Sequence, residues 1–364
     1  MNIFQIKLLI LAGLAVVTRG QYLSTNVNGV KSYKIDLDRE PQERFKEVTL
    51  DFKEDTVRAV RFYTGFVPQP IMWSLEQALR LVWLPKLPEY YDEVVGIAKY
   101  LELDKRIMLI IQFVYDLSSF CTSIVAAEAG TGQVIHARNL DFLNSGIMRN
   151  ITYEAQFFKN GKLLFRATMF AGLNGVMTGE RPGGFSISLN SRNPSYRKDL
   201  LVLAVNLAAY ITSAPQVTRV IRETFESCSD YECAFPKIKD TKMMAYAYLT
   251  IAGSKPYQGA IVARDRYGPA HVEELTSNGT VWFLSQTNDD HWKGICTERC
   301  QYPREALPAL GRENLSPSNL INILKQYPSN NKYSIYNVLM MPSKSNEESI
   351  YLTELISNEG DAII

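Results

Sequence analysis

Four of the five cysteines in this 364-residue chain fall in close pairs, Cys228 with Cys233 and Cys296 with Cys300, and Cys121 stands apart. A lone thiol becomes a nucleophile only where its surroundings favour the thiolate. Arg138 and Asp141 follow seventeen and twenty residues later, which is a hairpin's distance. One strand leaving Cys121 and one returning would bring both side chains beside it. A guanidinium favours the thiolate, so no histidine is required provided another base takes the thiol proton. The chain's own amine is such a base. If the bond between Phe120 and Cys121 is cut, Cys121 becomes an N-terminus whose amine titrates near about 7.7–8.0 before burial.

Plainer readings compete with this one. Cys121 can be a buried, inert thiol, and Arg138 with Asp141 an ordinary surface ion pair. A Cys–His dyad of Cys121 with His136 or His291 is a further alternative, although nothing around Cys121 looks like the papain signature. Metal and phosphate chemistry is poorly served. The three histidines form no H-x-x-x-H pair and no C-x-x-C occurs, so neither a zinc site nor any other metal is expected. Phosphate-loop, dinucleotide and G-x-S-x-G motifs are absent as well, and no cofactor is implied. Lys plus Arg number 39 against 38 for Asp plus Glu, a balance that gives no electrostatic footprint for nucleic acid.

The elements that must carry these residues change period at Cys121. Before it, residues 71–84 and 92–119 repeat apolar positions at helical spacing. After it, short strand-like runs dominate: Thr122–Ala127, Val134–Arg138, Phe185–Leu189, Tyr248–Ala252, Ala260–Arg264, Trp282–Thr287, Ser334–Leu339 and Ser349–Ile356. Thr152–Phe157 faces Leu163–Met169 across Asn160-Gly161, a strong hairpin signal. Leu200–Ile211, Gln216–Glu226 and Ser318–Tyr327 read as helices. A composition of 46% hydrophobic and 21% charged residues describes a globular chain of two units or one large one. Strands in blocks with helices in blocks give the α+β class.

Residues 1–20 place Lys7 before the apolar run Leu8–Val17 and small residues around Gly20, a secretory signal pattern too short to span a bilayer. On that route disulfides form, and the sequons at Asn150, Asn278 and Asn314 become N-glycan acceptors. Four cysteines allow three pairings. The two local ones, Cys228 with Cys233 and Cys296 with Cys300, are the simplest.

Phe120-Cys121-Thr122-Ser123-Ile124-Val125-Ala126 with His136-Ala137-Arg138-Asn139-Leu140-Asp141-Phe142 resembles the N-terminal-nucleophile cysteine amidases of the acid ceramidase and N-acylethanolamine-hydrolysing acid amidase family. Three further stretches match: Tyr33–Asp38 with Pro41, Phe170–Gly179, and Thr287–Lys293. The resemblance implies a four-layer αββα sandwich, cut into a mostly helical α-subunit of residues 21–120 and a catalytic β-subunit of residues 121–364. It makes Cys121 the nucleophile and, once freed, its own base, with Arg138 and Asp141 orienting the sulfur and the amine. Asn288, otherwise a turn residue, becomes the oxyanion donor, a role whose loss typically costs about 10²–10³ in rate.

By the same resemblance the substrate is an N-acyl lipid amide met at a membrane or micelle surface, in a lysosomal or secreted setting. N-acylethanolamines are the first expectation and ceramide the second. A catalytically silent lipid-binding glycoprotein is the alternative from another class, and the joint presence of Cys121, Arg138, Asp141 and Asn288 argues against it. Pro68–Leu84 reads as an interfacial helix, an acyl-channel cover or a buried subunit-interface helix. Two departures from the family pattern stand out. Ser191 occupies the place of a glutamate in Asn190-Ser191-Arg192, and the D-R-R stretch is not reproduced, with Arg304 of Gln301-Tyr302-Pro303-Arg304 as its nearest counterpart.

Overall fold

The computed structural model describes residues 24–25, 29–65, 88–113, 119–192, 214–343 and 350–356. The signal pattern at 1–20, the runs 71–84 and Pro68–Leu84, and the helix expected at Leu200–Ile211 lie outside the described residues. In chain order the elements are β1 (Ser24–Thr25), β2 (Lys31–Asp36), α1 (Lys46–Asp51), α2 (Lys53–Gly65), α3 (Pro88–Leu101), α4 (Lys105–Ile111), β3 (Ser119–Ala127), β4 (Val134–Phe142), α5 (Ser145–Asn150), β5 (Thr152–Lys159), β6 (Lys162–Phe170), β7 (Thr178–Arg181) and β8 (Phe185–Ser191). There follow α6 (Val217–Ser227), α7 (Tyr231–Asp240), β9 (Ala247–Gly253), β10 (Gly259–Arg264), β11 (Pro269–Glu274), β12 (Phe283–Gln286), α8 (Glu298–Leu310), α9 (Pro317–Leu324), β13 (Ser334–Met341) and β14 (Ile350–Leu355).

The strands form two sheets, β1-β2-β5-β6-β7-β8-β9-β10-β11 and β12-β3-β4-β13-β14, which bears out the α+β class. The segment before Cys121 is helical as expected but also inserts β2, which pairs parallel with β5. The helical spacing read over 92–119 is carried, among the described residues, by two helices. Helix α3 stops at Leu101, where Glu102 turns left-handed at φ 57°, and Leu103 N donates back to Ala98 O, a Schellman-type end. Asp104 then caps α4, its carboxylate accepting from Arg106 N at 2.8 Å, and Ser119 already belongs to β3.

Alternation along β3 and β4 decides what meets what. Ile124, Ala126, Ile135 and Ala137 pack with Leu339, Leu307, Leu320 and Leu324 under α8 and α9. The opposite parity, which includes Cys121, Ser123, His136 and Arg138, faces the nine-stranded sheet, where Asn190, Ser186 and Leu189 O receive it. Beyond that sheet, Phe157, Phe165, Phe225 and Phe185 stack at 4.2–5.1 Å beneath α6. Every residue of β4 is buried, because both of its faces are covered.

Candidate active site

The hairpin inferred from spacing is present. Cys121 lies opposite Leu140, Ser123 opposite Arg138, and Phe120 opposite Asp141. Arg138 thus shares the Cys121 face. Its Nη2 donates to Cys121 Sγ at 2.9 Å and to Leu189 O at 2.9 Å, while Nη1 donates to Thr178 Oγ1 and, at 3.4 Å, to the Tyr336 hydroxyl. The thiol is the free cysteine and is buried. The guanidinium is thus fixed against the sulfur. Burial raises the Tyr336 pKa, with Arg138 opposing, so that hydroxyl keeps its proton.

Asp141, three residues beyond Arg138, points to the other face, and the surface ion pair does not exist. Both side chains are fully buried, and no salt bridge joins them. Asp141 Oδ1 accepts from Ser334 Oγ at 2.6 Å, and Oδ2 from Asn331 Nδ2 at 3.0 Å and Arg299 Nη1 at 3.3 Å. Burial raises the Asp141 pKa above the ordinary carboxylate range, and Arg299, Ser334 and Asn331 offset part of that.

Asn288 meets Cys121 from a loop 167 residues away. Its Oδ1 accepts from Cys121 N at 2.8 Å, and its Nδ2 donates to Ser191 O at 2.7 Å. Arg299, on the first turn of α8, was not singled out in the sequence. It donates to Cys121 O at 3.1 Å, to Asp141 Oδ2 and, at 2.7 Å, to Asn288 Oδ1. The signal was the acidic–arginine pair Glu298-Arg299, lodged between two cysteines. Arg304, the counterpart named from sequence, donates to Ser285 O at 2.7 Å and braces β12. The Asn288 loop is held by its neighbour. Burial works against ionisation of Asp290, but bonds from Arg192 (2.7 and 3.0 Å), Tyr248 (2.6 Å) and Lys293 (2.9 Å) outweigh it and hold this carboxyl well below its usual range.

Neither histidine forms a dyad with Cys121. His136 places Nδ1 2.8 Å from Ser186 Oγ and Nε2 2.8 Å from Ser188 Oγ. Ser188 donates onward to Ser123, and Ser123 to Asn190 Oδ1, so the chain of bonds assigns the ring proton to Nε2. His291 Nε2 lies 2.9 Å from Glu273 Oε1. The cysteine pairs close as Cys228–Cys233 and Cys296–Cys300, and Asn150, Asn278 and Asn314 are exposed.

The chain is 32% identical to the N-acylethanolamine-hydrolyzing acid amidase of Rattus norvegicus over 314 residues, covering 85% of this chain and 84% of that protein. That settles the family. The chain belongs to the N-acylethanolamine-hydrolysing acid amidase and acid ceramidase family of N-terminal-nucleophile cysteine amidases. A probable acid ceramidase of Caenorhabditis elegans is 29% identical over 336 residues, 86% of this chain and 83% of that protein. A solved structure of a Caenorhabditis elegans N-acylethanolamine-hydrolyzing acid amidase ortholog superposes with a TM-score of 0.58 at 30% identity, over 65% of this chain and 100% of the other. No protein-family model matches the chain.

Proposed function

We propose that this protein is a lysosomal or secreted amidase that hydrolyses N-acylethanolamines to fatty acid and ethanolamine after splitting itself before Cys121. The observation that carries the reading is the pair of contacts on Cys121: Arg138 Nη2 on its sulfur at 2.9 Å and Asn288 Oδ1 on its amide N–H at 2.8 Å. In maturation the thiol adds to the Phe120 carbonyl carbon and the C–N bond breaks. The Cys121 nitrogen takes the proton, and water then hydrolyses the resulting thioester. Residues 21–120 and 121–364 become the α- and β-subunits of a four-layer αββα sandwich.

In turnover the freed amine takes the thiol proton and sulfur attacks the lipid amide carbonyl. The amine leaves with a proton, and water releases the fatty acid from the acyl-enzyme. Asn288 serves this reading as the oxyanion donor through its Nδ2 amide group, while its Oδ1 stays the acceptor for the Cys121 nitrogen and Arg299. Asp141 fixes Arg299, and Arg299 fixes the Cys121 carbonyl. The alternative substrate is ceramide, because the chain resembles the named acid ceramidases nearly as closely. N-glycans at Asn150, Asn278 and Asn314 accord with the secretory route. The test is purified protein at acid pH with palmitoylethanolamide and a short-chain ceramide side by side. Preferential release of ethanolamine supports the reading, and hydrolysis of neither amide by fully split protein refutes it.

A further inference from the structure

Helix α8 begins where its sequence works against a helix. Its N-cap, Thr297, makes no side-chain bond into the helix, and residues 303 and 308 are proline. Proline has no N–H, so the carbonyls of Arg299 and Arg304 receive no bond from four residues on. Cys300 N and Gln301 N both donate to Thr297 O, at 2.9 Å. Two tethers compensate. Asp289 Oδ2 accepts from Thr297 N at 2.9 Å and Thr297 Oγ1 at 2.6 Å, and the Cys296–Cys300 disulfide spans the turn. Arg299 lies inside that small covalent ring.

A guanidinium that must meet Cys121 O, Asn288 Oδ1 and Asp141 Oδ2 together tolerates little rotation of the turn that carries it. We propose that the Cys296–Cys300 disulfide is a positioning device for the reaction centre. It holds the first turn of α8 at the angle from which Arg299 clamps these three groups, so chain splitting and amide turnover run at full rate only while the bridge is closed. Cys296 and Cys300 are positioning residues that act through Arg299. Bridging a sequence separation of 4 constrains the unfolded chain less than a long-range bridge would, so the main effect falls on local geometry. The inference rests on the proposed reading of Cys121 as the nucleophile.

The test follows splitting of the full chain from minutes to days on denaturing gels. Four chains are compared: wild type, Cys296→Ser/Cys300→Ser, Arg299→Lys, and all three substitutions together. Displacing a reacting group by about 1 Å costs up to about 100-fold, so loss of the bridge should slow splitting between about 10- and 100-fold. In the Arg299→Lys chain the same loss should change the rate less than about threefold, because coupled residues are not additive. A second arm uses a Cys228→Ser/Cys233→Ser chain, which should split at the wild-type rate. Reducing its one remaining bridge with a phosphine, after folding, should reproduce the slowing and exclude a folding defect. Wild-type splitting without the bridge, or an equal loss in the Arg299→Lys chain, overturns the proposal. Splitting that survives Cys121→Ala would instead overturn the reading of the nucleophile.

Discussion

Buried His136 should make the folded protein less stable in acid. Burial first, and then the Arg138 charge, lowers its pKa from 6.5 to about 3. The group is a base depressed by folding. Its stabilising contribution is therefore intact above the unfolded value and is lost as pH falls below 6.5, because the unfolded chain takes up a proton that the folded chain refuses. Each unit is worth about 1.4 kcal/mol, so at pH 4.5 the folded state should have lost roughly 3 kcal/mol relative to neutral pH through this residue alone. Gln at this position keeps a donor and an acceptor between Ser186 and Ser188 and does not titrate. Urea unfolding of Cys121→Ala and Cys121→Ala/His136→Gln chains at pH 7 and 4.5 isolates the effect. The loss on acidification should be smaller in the His136→Gln chain by about 2–3 kcal/mol. Equal losses in the two chains would rule out a neutral, doubly bonded ring at His136.

Arg138→Lys keeps the charge but cannot reach Sγ, Leu189 O and Thr178 with one nitrogen; losing a charged hydrogen bond at about 1.5–3 kcal/mol should slow splitting about 10- to 150-fold, as gel time courses would show. Asp141→Asn should slow splitting while relieving a buried charge. Because burial raises the Asp141 pKa, folding favours its protonated form and its charge costs stability as pH rises from the unfolded toward the folded value, so the Tm of Asp141→Asn relative to wild type should rise as pH rises above about 4. Asp290 is the opposite case, a depressed carboxyl whose contribution is present above the unfolded value and lost only as pH falls through the folded one, well below the usual range. Asp290→Asn should accordingly lower Tm at pH 4.5 about as much as at pH 7.

Local chemistry made much of this legible in the sequence. Asn160 and Gly161 sit at φ 52° and 72°, the left-handed pair that a two-residue hairpin demands, and β5 and β6 follow from it. The Cys121–Arg138 contact was readable because hairpin register and strand alternation put residues 121, 123, 138 and 140 on one face. The same alternation sends Asp141 to the other face. Helix α8 was hidden by Pro303 and Pro308, and with it Arg299. Strands β7 and β11 were hidden by polarity, the first being Thr-Gly-Glu-Arg and the second an edge strand of mixed exposure. Long-range pairings such as Asn288 with Cys121 have no local signature, and here the family motif supplied what spacing did not.

The proposed chemistry requires Cys121 to become an N-terminus. Mass spectrometry and N-terminal sequencing of the protein purified from an acid compartment, beside Cys121→Ala, test it directly. The wild type should give a fragment beginning Cys121-Thr122-Ser123, and the variant an intact chain. A wild-type chain that is fully active with the Phe120–Cys121 bond intact would contradict it.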